Sequence, residues 1–175
     1  NIPETIIAML ATTSIGAIWS SCSPDFGSQA TIDRFDQIKP KVLIAVDGYF
    51  YNGKSHDCLQ RLAEITQKID SIEKTIIVSL VSENPDIANI PSAEHYCDFL
   101  SETIHIDFAQ LPFDHPIYIM YSSGTTGKPK CIVHGAGGTL LQHLKEHRLA
   151  VDLKKSDVFF YFTSCGWMMW NWLVS

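Results

Sequence analysis

Along this chain the spacing of apolar residues switches repeatedly between two periods. Residues 3 to 15 place Ile6, Ile7, Leu10 and Ala11 on one face of a 3.6-residue repeat and predict a helix, after which "GAIWSSC" (16–22) reads as a short buried strand. A second amphipathic helix is predicted over "SQATIDRFDQIKP" (28–40), where Pro40 ends it because proline lacks the backbone donor the next turn needs. "KVLIAV" (41–46) reads as a buried strand, "HDCLQRLAEITQKI" (56–69) as a helix and "KTIIVSL" (74–80) as another strand. Strands separated by helices call for crossover connections, so the expected fold class is α/β: a mostly parallel sheet with flanking helices.

The rhythm breaks over residues 82–116, where Pro85, Pro91, Pro112 and Pro116 predict a long connection holding one short helix near "HYCDFL". It resumes with a strand at "IYIMYSS" (117–123), a polar loop "GTTGKPK", a short strand "CIVH" (131–134), a helix over "TLLQHLKEHRLAV" (139–151) and a strand at "DVFFYF" (157–162). A Trp- and Met-rich segment, "GWMMWNWLVS", follows.

Size and charge narrow the options. At 175 residues the chain can bury roughly 70% of its unfolded surface. A net charge of −6 argues against nucleic acid or an anionic membrane as partner. Five cysteines without a C-x-x-C pair fit a reducing, cytosolic setting better than a disulfide framework. The apolar opening residues carry Glu4 and no basic residue before Arg34, which argues against a signal peptide or membrane span. With no initial methionine and an apolar last segment, the chain is expected to be a piece of a longer protein whose remainder would be its first partner.

Three motifs compete for the chemistry. "GYFYNGKS" (48–55) matches the Walker A pattern between a predicted strand and helix. Three consecutive aromatic residues suit a phosphate-wrapping loop poorly, and no later strand ends in the Asp that would hold magnesium. "HLKEH" (143–147) matches the inverted zinc-peptidase pattern and places His143, Glu146 and His147 on one helix face. No Glu or further His follows His147, so a solvated face of mixed charge is the expected alternative. "YSSGTTGKPK" (121–130) is the densest cluster of donors in the chain. Ser122, Ser123, Thr125 and Thr126 supply hydroxyls, Gly124 and Gly127 let the backbone approach a ligand, and Lys128 and Lys130 supply charge. In an acidic chain such a loop is the expected anion site.

That third motif, "IMYSSGTTGKPK", resembles the phosphate-binding signature of the adenylate-forming superfamily of acyl-CoA synthetases, luciferases and peptide-synthetase adenylation domains. The wider stretch, with "HGAGGTLLQHLKEH" and "TSCGWMMWNW", is similar to the branch that acts on acetoacetate. The resemblance implies a partial AMP-binding (adenylation) domain over residues 1–175, with the small C-terminal domain absent and the fragment inactive alone. It implies a ligase that forms an acyl-adenylate from acetoacetate and ATP, then passes the acyl group to CoA, with Mg2+ ligands lying further along the chain. Lys128 and Lys130 would act in catalysis, and Ser122, Ser123, Gly124, Thr125, Thr126 and Gly127 would hold ATP phosphates. Lys54 would lie near the CoA phosphates. Trp167, Met168 and Met169 would line the acyl pocket, at the carboxyl edge of the sheet beyond the strand ending at Phe162. Cys131 stands where the family usually has glycine. The alternatives are an acetyl- or short-chain acyl-CoA synthetase, a non-catalytic nucleotide-binding piece and a P-loop NTPase-like piece.

Overall fold

The computed structural model describes residues 1–103, 105–122 and 127–175. In chain order its elements are α1 (Pro3–Ser14), α2 (Ser28–Ile38), β1 (Val42–Val46), β2 (Gly48–Tyr51), β3 (Lys54–Asp57), α3 (Leu59–Lys68), β4 (Lys74–Val78), β5 (Ala93–His95), α4 (Tyr96–Phe99), β6 (Pro116–Ser122), β7 (Lys130–Gly135), α5 (Ala136–Lys145) and α6 (Met168–Val174), with a π-helical turn at Glu146–Ala150. The chain forms two compact units, one of Asn1–Ser23, His105–Ser122 and Lys130–Ser175, the other of Pro24–Ile104 and Ser123–Pro129.

The second unit holds a parallel sheet in the order β1-β4-β5, with Val42 opposite Lys74 and Thr75 opposite Ala93. Central β4 is apolar on both faces, and Ile76 and Ile77 are completely buried. Burying such a side chain stabilises by about 1.5–3 kcal/mol, so this strand anchors the unit. Helices α2 and α3 pack on each other. They bury Thr31, Ile32 and Phe35 from one helix and Leu62, Ile65 and Thr66 from the other, the period-3.6 stripes expected of them. Helix α2 stops at Lys39, which turns left-handed (φ 49°) and donates its N–H to the Phe35 carbonyl just before Pro40. Within the long connection the short helix expected near "HYCDFL" is α4, whereas strand β5 was not expected; its three residues are too few to show a period.

Between β1 and α3 the structure differs from the expectation. Residues 56 and 57, expected to open the helix, belong instead to strand β3, and β2 and β3 form an antiparallel hairpin with Tyr51 opposite Lys54. The turn is Asn52-Gly53, both with positive φ (50° and 71°), as a two-residue hairpin turn requires.

The first unit is built around the antiparallel pair β6–β7, which runs from Pro116 opposite Gly135 to Ser122 opposite Lys130. The "GAIWSSC" segment adds a single parallel bridge, Trp19 to Tyr118, instead of a full strand. Met9 from α1, Tyr118 from β6 and Trp170 from α6 form the core cluster, packed by Trp19, Ile117, Met120, Cys165 and Val174. Gly135 offers α5 no side-chain cap, so backbone carbonyls take over: Ala136 and Gly137 donate to His115 and Phe113 at 2.8 Å each. Residues 157–162 form no strand. Val158, Phe160 and Phe162 are 99%, 81% and 90% exposed, and no described strand pairs with them. The Trp- and Met-rich segment therefore does not sit beyond a sheet strand as its position in the sequence suggested.

Candidate functional site

The donor-rich loop joins β6 to β7. Ser122 and Lys130 are the last pair of that ladder, with Ser122 half-buried and Lys130 exposed. Ser123, Gly124, Thr125 and Thr126, assigned to phosphate binding, lie outside the described residues. Gly127 has φ 147°, a conformation that side chains rarely adopt. In the second unit, Lys128 reaches Asp33 at 4.0 Å with its side chain 65% exposed, and Gln37 donates to the Pro129 carbonyl at 2.9 Å. The nearby Asp36 carboxyl is held below its usual range, chiefly by a hydrogen bond from Lys39, with the charge of Lys128 the weakest contribution. Both loop lysines are thus exposed, and among the described residues neither is paired with a buried carboxylate.

Lys54 stands on β3, exposed, opposite Tyr51. Beside it His56 stacks on Tyr49 with ring centroids 4.9 Å apart, and the Arg61 guanidinium lies 5.9 Å from the Tyr49 ring centre. Residues 48–51 are paired with 54–57 in an antiparallel ladder and do not form a phosphate-wrapping loop. That geometry excludes the Walker A reading of "GYFYNGKS". The Asn-Gly pair was the overlooked signal: flanked by β-favouring aromatics, it marks a hairpin more strongly than the Walker pattern marks a P-loop.

Trp167, Met168 and Met169 open helix α6, and all three are exposed. The neighbours Trp170 and Asn171 are the buried ones. Met168 lines a cleft of about 440 Å³ with Phe113, Asp114, His134, Thr139 and Gln142. The segment thus divides: Trp170 holds the core, and the residues assigned to the acyl pocket face outward, one of them into a cleft with mixed polar and apolar walls. The cleft-lining residues of β7 and α5 were missed because their sequence pattern records only a strand and a helix.

The "HLKEH" motif is scaffold of another kind than expected. His143 is buried, not solvated, and its Nδ1 lies 2.8 Å from the Ser175 hydroxyl. Burial holds its imidazole below its usual pKa range, with the charges of His147 and His134 acting in the same direction. His147 meets the edge of Trp172 at 4.8 Å, and Glu146 is engaged by Lys145 and Gln142. Each member of the motif has a separate partner. Among the described residues no group of three or more His, Cys, Asp or Glu could hold a metal ion, and no helix is long and apolar enough to cross a membrane.

Residues 1–174 match the AMP-binding enzyme family, and the chain belongs to it. Among individual proteins it is 52% identical over 178 residues to acetoacetyl-coenzyme A synthetase of Rhizobium meliloti and 49% identical over 182 residues to acetoacetyl-CoA synthetase of Gallus gallus; each comparison covers 100% of this chain and 27% of the relative. It is 44% identical over 183 residues to a malonamoyl-CoA synthetase of Penicillium aethiopicum, covering 25% of that protein. The solved structure of acetoacetyl-CoA synthetase from Streptomyces lividans superimposes with a TM-score of 0.91 at 44% identity, covering 99% of this chain and 26% of that one. The chain therefore spans about a quarter of the length of the relatives it matches.

Proposed function

We propose that these 175 residues are part of the adenylation domain of an acid–thiol ligase that activates acetoacetate with ATP and transfers it to CoA. The reading rests on one observation: a loop with two accessible lysines joins β6 to β7 in a chain half identical, over its full length, to acetoacetyl-coenzyme A synthetase. In the first step a carboxylate oxygen of the acid attacks the α-phosphorus of ATP, and the bond to the departing pyrophosphate breaks. Negative charge builds on that leaving group. Lys128 and Lys130, with donors from Ser122 to Gly127, neutralise and position it, and the step requires no side-chain nucleophile. In the second step the CoA sulfur attacks the acyl carbonyl and AMP leaves with the bonding pair. Lys54 meets a CoA phosphate in this step. Any Mg2+ that accompanies ATP finds no cluster of His, Cys, Asp or Glu ligands among the described residues.

Trp167, Met168 and Met169 take the acid. Acetoacetyl and malonamoyl groups share a second carbonyl β to the carboxyl carbon, so a short β-carbonyl acid is the substrate class that both relatives' names support. Flexible thioethers can fit around such a group, and one methylene more or less is worth about 1–3 kcal/mol in such a pocket. A cytosolic location suits small soluble substrates.

The decisive experiment is ATP–pyrophosphate exchange by the full-length enzyme with acetate, acetoacetate and a longer acid. The reading expects exchange that depends on the acid and is fastest with acetoacetate, and none from the 175 residues alone. Equal rates with all acids, or exchange without any acid, would refute it. For the pocket, kcat/KM is compared across the same acids in Met168→Ala, Met169→Ala and Trp167→Gly. A change in preference supports the assignment, and uniform loss with a lowered melting temperature places these residues in the packing.

A further inference from the structure

Asp47 is 3% exposed, the most deeply buried carboxylate in the second unit, and the chemistry above makes no use of it. It follows β1 directly. One carboxylate oxygen accepts the N–H of Leu80 at 2.8 Å and of Val81 at 3.0 Å, and the other accepts the N–H of Ser82 at 2.7 Å. Its backbone N–H donates to the Val78 carbonyl, and its carbonyl accepts the N–H of Cys58 at 2.8 Å, just ahead of α3. One residue thus ties together the carboxyl ends of two parallel strands, the start of a helix and both feet of the β2–β3 hairpin. The next residue confirms how tight the junction is. A Cβ on Gly48 would stand 2.6 Å from the His56 carbonyl oxygen and 3.0 Å from Val81 Cγ2, so the hairpin base lies directly against the turn that Asp47 holds.

We infer that Asp47 is the positioning residue for the hairpin and hence for Lys54, acting through the amides of residues 80–82 and not through contact with substrate. The functional half of this inference rests on the assignment of Lys54 to CoA. The carboxyl ends of parallel strands are where α/β folds build ligand crevices, and an ammonium carried on a hairpin can meet a phosphate there only if the base of that hairpin is fixed. A carboxylate suits the task because it only accepts: three N–H groups converge on it, and charge-assisted bonds of this kind are stronger than neutral ones. Asparagine has the same shape, but its amide nitrogen would oppose one of the three donors and leave it unpaired.

The test uses the full-length enzyme and two independent variants, Asp47→Asn and Gly48→Ala, with Lys54→Ala as reference. Amide hydrogen exchange over residues 48–57 and the kinetic constants for CoA are measured in each. Both variants are expected to speed exchange in the hairpin and to raise KM for CoA by about tenfold, the size expected for losing a hydrogen bond to a charged group, with kcat within about twofold. Unchanged hairpin exchange overturns the inference whatever Lys54 does. Faster exchange with an unchanged KM, while Lys54→Ala raises KM, overturns the link from Asp47 to CoA. If Lys54→Ala leaves KM unchanged, the assignment of Lys54 to CoA fails, and the functional half of the inference fails with it.

Discussion

Residues 74–78 and 158–162 look alike as sequence, KTIIV against VFFYF, and their surroundings in the structure are opposite. The first is the centre of a parallel sheet, with a partner on each edge and Ile76 and Ile77 fully buried. The second is not a strand, and its Val158, Phe160 and Phe162 are almost wholly exposed. An apolar run states how much surface a segment needs to bury. It does not name the partner, and a strand also requires edges that accept its N–H and C=O groups. Residues 74–78 find both edges in β1 and β5, within some thirty residues on either side. Among the described residues, 158–162 find neither. Exposed apolar surface of this kind marks a place for another element to cover, and the chain spans only about a quarter of its relatives' length.

The strongest way to break this comparison is to empty one site in each segment. Ile77→Ala leaves a cavity in a filled interior and should destabilise by about 2–5 kcal/mol, read as a lowered denaturant midpoint of the full-length protein. Phe160→Ser in the 175-residue chain removes surface already in water and should change stability by no more than about 0.5 kcal/mol while reducing binding of an apolar dye. A large loss from Phe160→Ser would show that Phe160 is packed in solution, as its neighbours Phe159 and Tyr161 are against Trp172.

Next in size is the contrast between the loop lysines and the hairpin lysine. In the full-length enzyme, Lys128→Ala or Lys130→Ala should slow adenylation by roughly ten- to a thousandfold, the range for removing a charge aimed at one developing in the transition state. Lys54→Ala should act on KM for CoA instead. Loop variants with normal pyrophosphate exchange would remove the phosphate role from residues 121–130, the densest run of donors in the sequence.

Legibility followed the distance between cause and effect along the chain. The loop stands out in the sequence because hydroxyls, glycines and lysines fall within ten residues, and its phosphate role is the proposal made above. Strands β1 and β4 could be read because each carries a nearly uninterrupted apolar run, which in β4 is buried on both faces. Asp47 could not, since its three partners lie 33 to 35 residues away and an Asp after a strand otherwise reads as a turn residue. The burial of His143 was hidden for a related reason. Its helix carries Lys145 and Arg148 nearby, and its partner Ser175 lies 32 residues on.

That buried histidine gives a smaller effect with a definite sign. Burial lowers its folded-state pKa, so between that lowered value and the unfolded value of about 6.5 the unfolded chain binds more protons. The stability His143 contributes is complete above the unfolded value and is lost as pH falls through the folded one. A melting-temperature series from pH 8 to pH 5 should show this decline in the full-length protein and a shallower one in His143→Gln. Equal slopes would assign the acid sensitivity to other groups.

The smallest expected effect separates the functional from the structural account of Lys128. Its ammonium lies 4.0 Å from Asp33, long for a hydrogen bond, with the lysine side chain 65% and the aspartate side chain 26% exposed. An ion pair so placed is worth about 0–1 kcal/mol, because water and salt screen it and two side chains must be ordered to form it. Asp33→Asn should therefore leave stability within about 0.5 kcal/mol of the parent and leave adenylation undiminished, since it frees the ammonium without removing it. Lys128→Ala removes the same ion pair and the ammonium together. If Lys128 serves only to fasten the loop to α2, the two variants must lose activity to the same extent; if its charge serves the leaving pyrophosphate, only the lysine variant does. Pyrophosphate exchange by both variants at low and high salt makes the distinction, because screening weakens the Asp33 contact without supplying the missing cation.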